Sequence, residues 1–113
     1  MHELSIVMNI LNTVEDNAQK HKAKEIKEIE LEVGLLSGVE FSALDFALNN
    51  APKSHIFQKT QFKVLKIQAL AKCNDCLNEF ETSNYATPCP RCQSIKTTLI
   101  KGNELRIKSF SFD

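Results

Sequence analysis

Four cysteines constrain this chain more than any other feature. Cys73 and Cys76 form one C-x-x-C pair, Cys89 and Cys92 form another, and twelve residues separate them. Each pair can fold into a tight knuckle that presents two sulfurs to one cation. Two knuckles complete a tetrahedron with metal–sulfur distances near ~2.3 Å, and a closed four-thiolate shell leaves no position for water or substrate. The reading is a structural zinc ion. Iron suits the same geometry and is the chemical rival. A redox dithiol fits less well, because neither pair ends the strand of a βαβ unit. The segment between the pairs holds too few apolar residues for a core, so metal ligation is expected to supply its fold. Leu77, Phe80 and Tyr85 are expected to pack around the site.

Cysteines in a reducing compartment are more often ligands than disulfides. The first twenty residues lack a basic stretch followed by an apolar block, and Glu3, Glu15 and Asp16 interrupt them. The expectation is a cytoplasmic protein without a signal peptide or membrane span. Charge then weighs on the alternative function, a nucleic-acid-binding zinc ribbon. The whole chain has 14 basic and 14 acidic residues, for a formal net charge of zero. From Lys72 to Lys96 three basic residues (Lys72, Arg91, Lys96) balance three acidic ones (Asp75, Glu79, Glu81). Four thiolates and one Zn2+ would add −4 and +2, about −2 in all, which is a poor match for a phosphate backbone.

The rest of the chain reads as a small α+β layer. Leu4, Val7, Met8, Leu11, Val14 and Ala18 recur at helical spacing. Ile29, Leu31 and Val33 alternate with Glu28, Glu30 and Glu32, the period of a strand with one buried face. Ser37 and Glu40 fit a capping box opening a second helix, which Asn49, Asn50 and Pro52 stop. A strand-like stretch from about Thr60 to Ala71 slips phase between Val64 and Leu65, predicting a bulge or a change of sheet there. A last strand runs through Leu105, Ile107, Phe110 and Phe112. The predicted fold class is α+β: two helices on a small three-stranded sheet, with a zinc-ribbon module inserted before the last strand. Residues 1–70 and 101–113 would form the α+β domain, and residues 71–100 the ribbon domain.

Met1-His2-Glu3 is the second constellation. An N-terminal x-His can chelate a cation through its α-amine, the deprotonated amide of His2 and the imidazole, a nitrogen-rich planar set that suits Ni2+ or Cu2+. Glu3 could add an oxygen or a hydrogen bond beside it. A helix start repels cations, and most second-position histidines are simply exposed chain ends, so the residues alone leave both readings open.

Taken together, MHELS at the start, VGLLSGVEFSAL in the middle, CNDC and CPRC, and GNELRIKSF near the end resemble the HypA/HybF family of [NiFe]-hydrogenase maturation factors over essentially the whole length. That resemblance implies a nickel metallochaperone and not an enzyme. Nickel, the transferred cargo, would bind Met1, His2 and Glu3, making residues 1–70 and 101–113 the nickel-binding domain. Zinc would be structural on Cys73, Cys76, Cys89 and Cys92. The implied partners are a HypB-type maturation GTPase, the hydrogenase large-subunit precursor and, for some members, the nickel chaperone of urease. No nucleic acid or membrane is implied. Some members carry histidines beside the cysteine pairs; here neither His21 nor His55 lies near one, so no histidine-based ligand exchange is carried over. Glu40 follows the middle motif, but its capping role already accounts for it.

Overall fold

The computed structural model describes residues 3–113, and the α+β arrangement expected from the pattern is present in it. In chain order the elements are α1 (Glu3–Lys20), β1 (Ile26–Gly34), α2 (Phe41–Asn50), a 3-10 turn (His55–Phe57), β2 (Gln61–Ile67), β3 (Leu70–Cys73), β4 (Glu79–Glu81), β5 (Thr97–Lys101) and β6 (Leu105–Phe112). They make two three-stranded sheets, ordered β2-β1-β6 and β4-β3-β5. The cysteine-bearing sheet therefore lies in the chain between β2 and the last strand.

The chain divides into two compact units. One takes in the described residues through Leu31, then Val39–Leu65 and Arg106–Asp113. Its core is built from one face of each element: Val7, Ile10, Leu11, Val14 and Ala18 of α1, Ile26, Ile29 and Leu31 of β1, and Leu44, Ala47 and Leu48 of α2. The stripe on α1 is rotated from the expected one. Ile10 joins it, Met8 is half-buried, and Leu4 is 54% exposed. At 100° per residue the buried arc runs from Ile10 at one edge through Val14, Val7 and Ala18 to Leu11, and Leu4 lies beyond the Leu11 edge. The helix ends in a Schellman arrangement, with Ala23 N–H donating to the Ala18 carbonyl and Lys22 N–H to the Gln19 carbonyl. Lys22 takes the left-handed conformation that motif requires. His21 Nδ1 lies 2.9 Å from the Asn17 carbonyl, one of the acceptors that a helix leaves open at its C-terminus.

On β1, alternation from Ile29 onward sends the glutamates to the other face. There Glu28 meets Lys63 of β2 at 3.2 Å and Glu30 meets Lys108 of β6 at 3.8 Å. With each lysine exposed and each glutamate half-buried, these surface pairs add little stability.

The second unit is Glu32–Gly38 with Lys66–Leu105, wider than residues 71–100. Hydrogen bonds explain the extra segments. Gly34 N–H donates to the Glu104 carbonyl, Leu35 N–H to Ile67 and Leu36 N–H to Gly102, at 2.7–2.9 Å. The expected break within residues 60–71 comes at Gln68–Ala69, between β2 and β3, and not at Val64–Leu65. Phase alone could not locate it, because every residue of β2 is only half-buried or exposed. Ala69 is instead held from both sides. Its carbonyl accepts Thr82 N–H, and its Cα and Cβ lie against Gly102.

Two glycines make that approach possible. Gly102 has φ +119°, and a Cβ on it would fall 2.5 Å from Ala69 Cα. A Cβ on Gly34 would fall 1.9 Å from the Gly102 carbonyl oxygen. Both obstacles are backbone or Cβ atoms that cannot swing aside. Gly34→Ala is expected to destabilise the protein by about 3 kcal/mol, the upper range for overpacking, with a lower urea midpoint as the readout; an unchanged midpoint would mean the two loops do not touch.

Candidate metal centres

Strand β3 ends on Cys73, and its pleat turns Ala71 and Cys73 to the same buried side. It pairs antiparallel with β4 (Ala71 opposite Phe80) and with β5 (Cys73 opposite Thr97). Ala71, Cys73, Phe80 and Cys89 form a small core with Cys76 packed against it. Phe80 packs as expected. Leu77 and Tyr85 do not, being 66% and 62% exposed. Tyr85 instead donates its hydroxyl to the Leu36 carbonyl at 2.7 Å. The loop beyond β4 is held by polar bonds: Thr82 Oγ1 donates to the Asn84 carbonyl at 2.7 Å and lies 2.6 Å from Thr87 Oγ1.

The two C-x-x-C pairs fold as copies of one device. Cys73 N–H donates to the Asn78 carbonyl and Leu77 N–H to the Cys73 carbonyl; Cys89 N–H donates to Ser94 and Gln93 N–H to Cys89, all at 2.8–3.0 Å. The residue after the second cysteine of each pair is left-handed, Leu77 at φ 65° and Gln93 at φ 66°. These backbone roles escaped sequence reading because neither position holds the glycine that would signal them. Both knuckles are cross-braced. Ser94 Oγ donates to Asp75, and Thr98 Oγ1 to Asn74 Oδ1 at 3.1 Å.

The four sulfurs of Cys73, Cys76, Cys89 and Cys92 lie within 4.8 Å of one another. Cys73 and Cys92 are 3.5 Å apart and Cys76 and Cys89 3.7 Å. A tetrahedron with metal–sulfur bonds of ~2.3 Å has edges of ~3.8 Å, so the spacing fits one four-coordinate ion such as zinc. It is far too long for disulfides, and all four cysteines are free. Burial pushes the Cys89 thiol up, but N–H groups of Cys92 and Arg91 and the Asn78 amide outweigh it and bring it down to about 6. At Cys92 the Ser94 N–H favours the thiolate, yet the shared hydrogen bonds with Cys73, Cys76 and Cys89 hold the thiol up to about 12. Crowded thiols of this kind ionise together only around a cation.

Of the second constellation, Met1 and His2 lie outside the described residues. Glu3 opens α1 and is buried. Its Oε2 accepts the backbone N–H of Glu40 at 3.1 Å. Glu40 is the N-cap of α2: its carboxylate accepts from Ser42 N–H and Ala43 N–H and from the Ser42 hydroxyl. The expected capping box is therefore shifted. Glu40 stands at its first position and not its fourth, and the carboxylate that returns to the N-cap N–H comes from Glu3, on another helix. The Glu40 bond holds the Glu3 carboxyl below the usual carboxylate range, and the Ser42 hydroxyl with the Ala43 and Ser42 N–H groups does the same for Glu40.

The family described as HypA, hydrogenase/urease nickel incorporation, metallochaperone, matches residues 1–112. Hydrogenase maturation factor HypA of Parabacteroides distasonis is 41% identical over 109 residues, covering 96% of this chain and 95% of that protein. Hydrogenase maturation factor HybF of Klebsiella pneumoniae is 36% identical over 109 residues, 96% of each. A solution structure of the nickel metallochaperone HypA from Helicobacter pylori has a TM-score of 0.66 at 24% identity, covering 99% of this chain and 97% of that one. At that identity the likeness concerns the fold.

Two outcomes follow from this geometry. Replacing Gln93 or Leu77 by Gly relieves about 1–2 kcal/mol of left-handed strain against a smaller entropic cost, so each variant of the zinc-loaded protein should gain about 0.5–1 kcal/mol in urea unfolding. A loss in both would mean that the knuckles do not turn at these residues. Because Glu3 and Glu40 are both held low, their stabilisation is present above the ordinary carboxylate pKa and is lost as pH falls through the lowered values. Thermal melts from pH 6 to pH 3 should therefore fall more steeply for wild type than for a Glu3→Gln/Glu40→Gln double variant. Parallel curves would count against both bonds.

Proposed function

The chain belongs to the HypA family of hydrogenase/urease nickel-incorporation metallochaperones, and from that premise we propose that it carries Ni2+ on Met1, His2 and Glu3 and delivers it during [NiFe]-hydrogenase maturation. The observation that carries this reading is a family match that includes the first three residues, together with the anchoring of Glu3. In this proposal the Met1 amine, the His2 amide nitrogen and the His2 imidazole are the chelating atoms. Glu3 contributes an ionised carboxylate beside them. That charge offsets the repulsion a cation meets at the start of α1.

The four-cysteine site takes zinc in the same proposal, held by Cys73, Cys76, Cys89 and Cys92. A full shell of four sulfurs suits a structural ion, and the buried cluster around it holds only Ala71 and Phe80 besides the cysteines, too little to hold the knuckles without one. Carrier chemistry requires no nucleophile or general base, and the protein acts as an adaptor, not an enzyme. The proposed partners are a HypB-type GTPase and the hydrogenase large-subunit precursor, with the urease nickel chaperone as a further candidate partner. The compartment is the cytoplasm, where thiols stay reduced. Among the described residues no helix is long and apolar enough to cross a membrane. A nucleic-acid role gains nothing from a ribbon segment whose charges balance before metal is added.

Nickel titration with parallel metal analysis tests the assignment. Wild type should bind about one equivalent of nickel and His2→Ala none, with zinc content equal in both. Extending the chain ahead of Met1 should weaken nickel binding by removing the free amine. Full nickel stoichiometry in His2→Ala would overturn the chelate, and zinc loss in that variant would show that the two metal sites are not separate.

A further inference from the structure

A cavity of about 570 Å³ follows the end of α2, within the first unit. Lys53, Ser54, His55, Gln58, Thr60 and Phe62 are among its lining residues, and no carboxylate lines it. Lys53 is drawn in and not extended to solvent. Its Nζ donates to the Ala51 carbonyl at 3.1 Å and lies 5.9 Å from the centre of the Phe62 ring. Among the described residues it has no acidic partner. The ammonium thus keeps two unused N–H donors in a partly buried place, where an unpaired charge is costly.

Ser54 supplies a second, independent sign. Its hydroxyl oxygen is buried and has no hydrogen-bond partner. Buried hydroxyls normally find one, and an orphan calls for a missing acceptor or donor. Thr60 is not in this position, because its hydroxyl already donates to the Ile26 carbonyl at 2.6 Å. A half-buried cation and an orphan donor side by side, with an imidazole at the rim, call for an anion with several acceptor oxygens. A phosphate group offers three oxygens and close to two negative charges, and a lysine suits it as a point charge. The cavity exceeds the size of the phosphate alone, leaving room for an organic part against the Phe62 ring.

We propose that this cavity binds the phosphate group of a small phosphorylated molecule through Lys53, Ser54 and His55, residues that belong to neither proposed metal site. The probes are inorganic phosphate, phenyl phosphate and benzoate, titrated into nickel-free, zinc-loaded full-length protein and followed by amide chemical shifts. Saturable shifts at residues 53–60 with both phosphates, and at least about tenfold weaker binding of benzoate, are expected. Lys53→Gln should weaken phosphate about tenfold, as a charge-assisted bond requires, and Ser54→Ala severalfold. Circular dichroism checks that each variant folds; if Lys53→Gln does not, Ser54→Ala alone decides. No saturable shift, equal affinity for benzoate, or unaltered binding in the folded variants would overturn the proposal. Because no nickel is present, none of these results bears on the His2 chelate.

Discussion

Four thiols within 4.8 Å of one another form the constraint on which the second unit depends. Two of them, Cys73 and Cys89, belong to its small buried cluster with Ala71 and Phe80, so ligands and core residues coincide there. Crowding alone would drive such sulfurs apart once they ionise. A tetrahedral cation would turn that repulsion into a clamp. It would sit where β3, β5 and the two knuckles converge and hold the register of a sheet that includes one three-residue strand. The segments tied in around it, Gly34–Leu36 and Gly102, rely on backbone bonds and on close packing that only glycine allows.

The legible parts of this fold were those whose signal is local. Paired cysteines announce a shared site through spacing, and the structure brings their four sulfurs together. Ile29, Leu31 and Val33 announce a half-buried strand through alternation, and the structure places their glutamate neighbours on the other face, two of them with lysine partners. Features set by distant contacts were harder to read. Glu40 looked like the last member of a capping box because Ser37 stood three residues before it, whereas the completing carboxylate comes from Glu3. The break between β2 and β3 follows from the fit of Ala69 against Gly102, which no periodicity records. Leu77 and Tyr85 looked like packing around the cysteines because they are apolar and near in sequence. One is needed for the turn of its backbone, and the other for a hydroxyl that reaches Leu36.

Family membership and physical structure bear on different residues here. The match covers residues 1–112 and so takes in Met1 and His2, where the nickel chelate is proposed. The described geometry begins one residue later, with Glu3. This carboxylate joins the beginnings of two helices: it opens α1 and accepts the N–H of the residue that caps α2. It is buried and ionised, and its bonding partner is backbone, which cannot swing away.

That double attachment changes how substitutions at this position must be interpreted. An alanine at Glu3 removes an oxygen beside the proposed chelate and also orphans the Glu40 amide, so a loss of metal would not separate ligand chemistry from altered helix geometry. Glutamine is the sharper probe, since its amide oxygen can still receive the Glu40 N–H while the negative charge is gone. Two different properties of one side chain, where it holds the backbone and what charge it brings, can thus be varied one at a time.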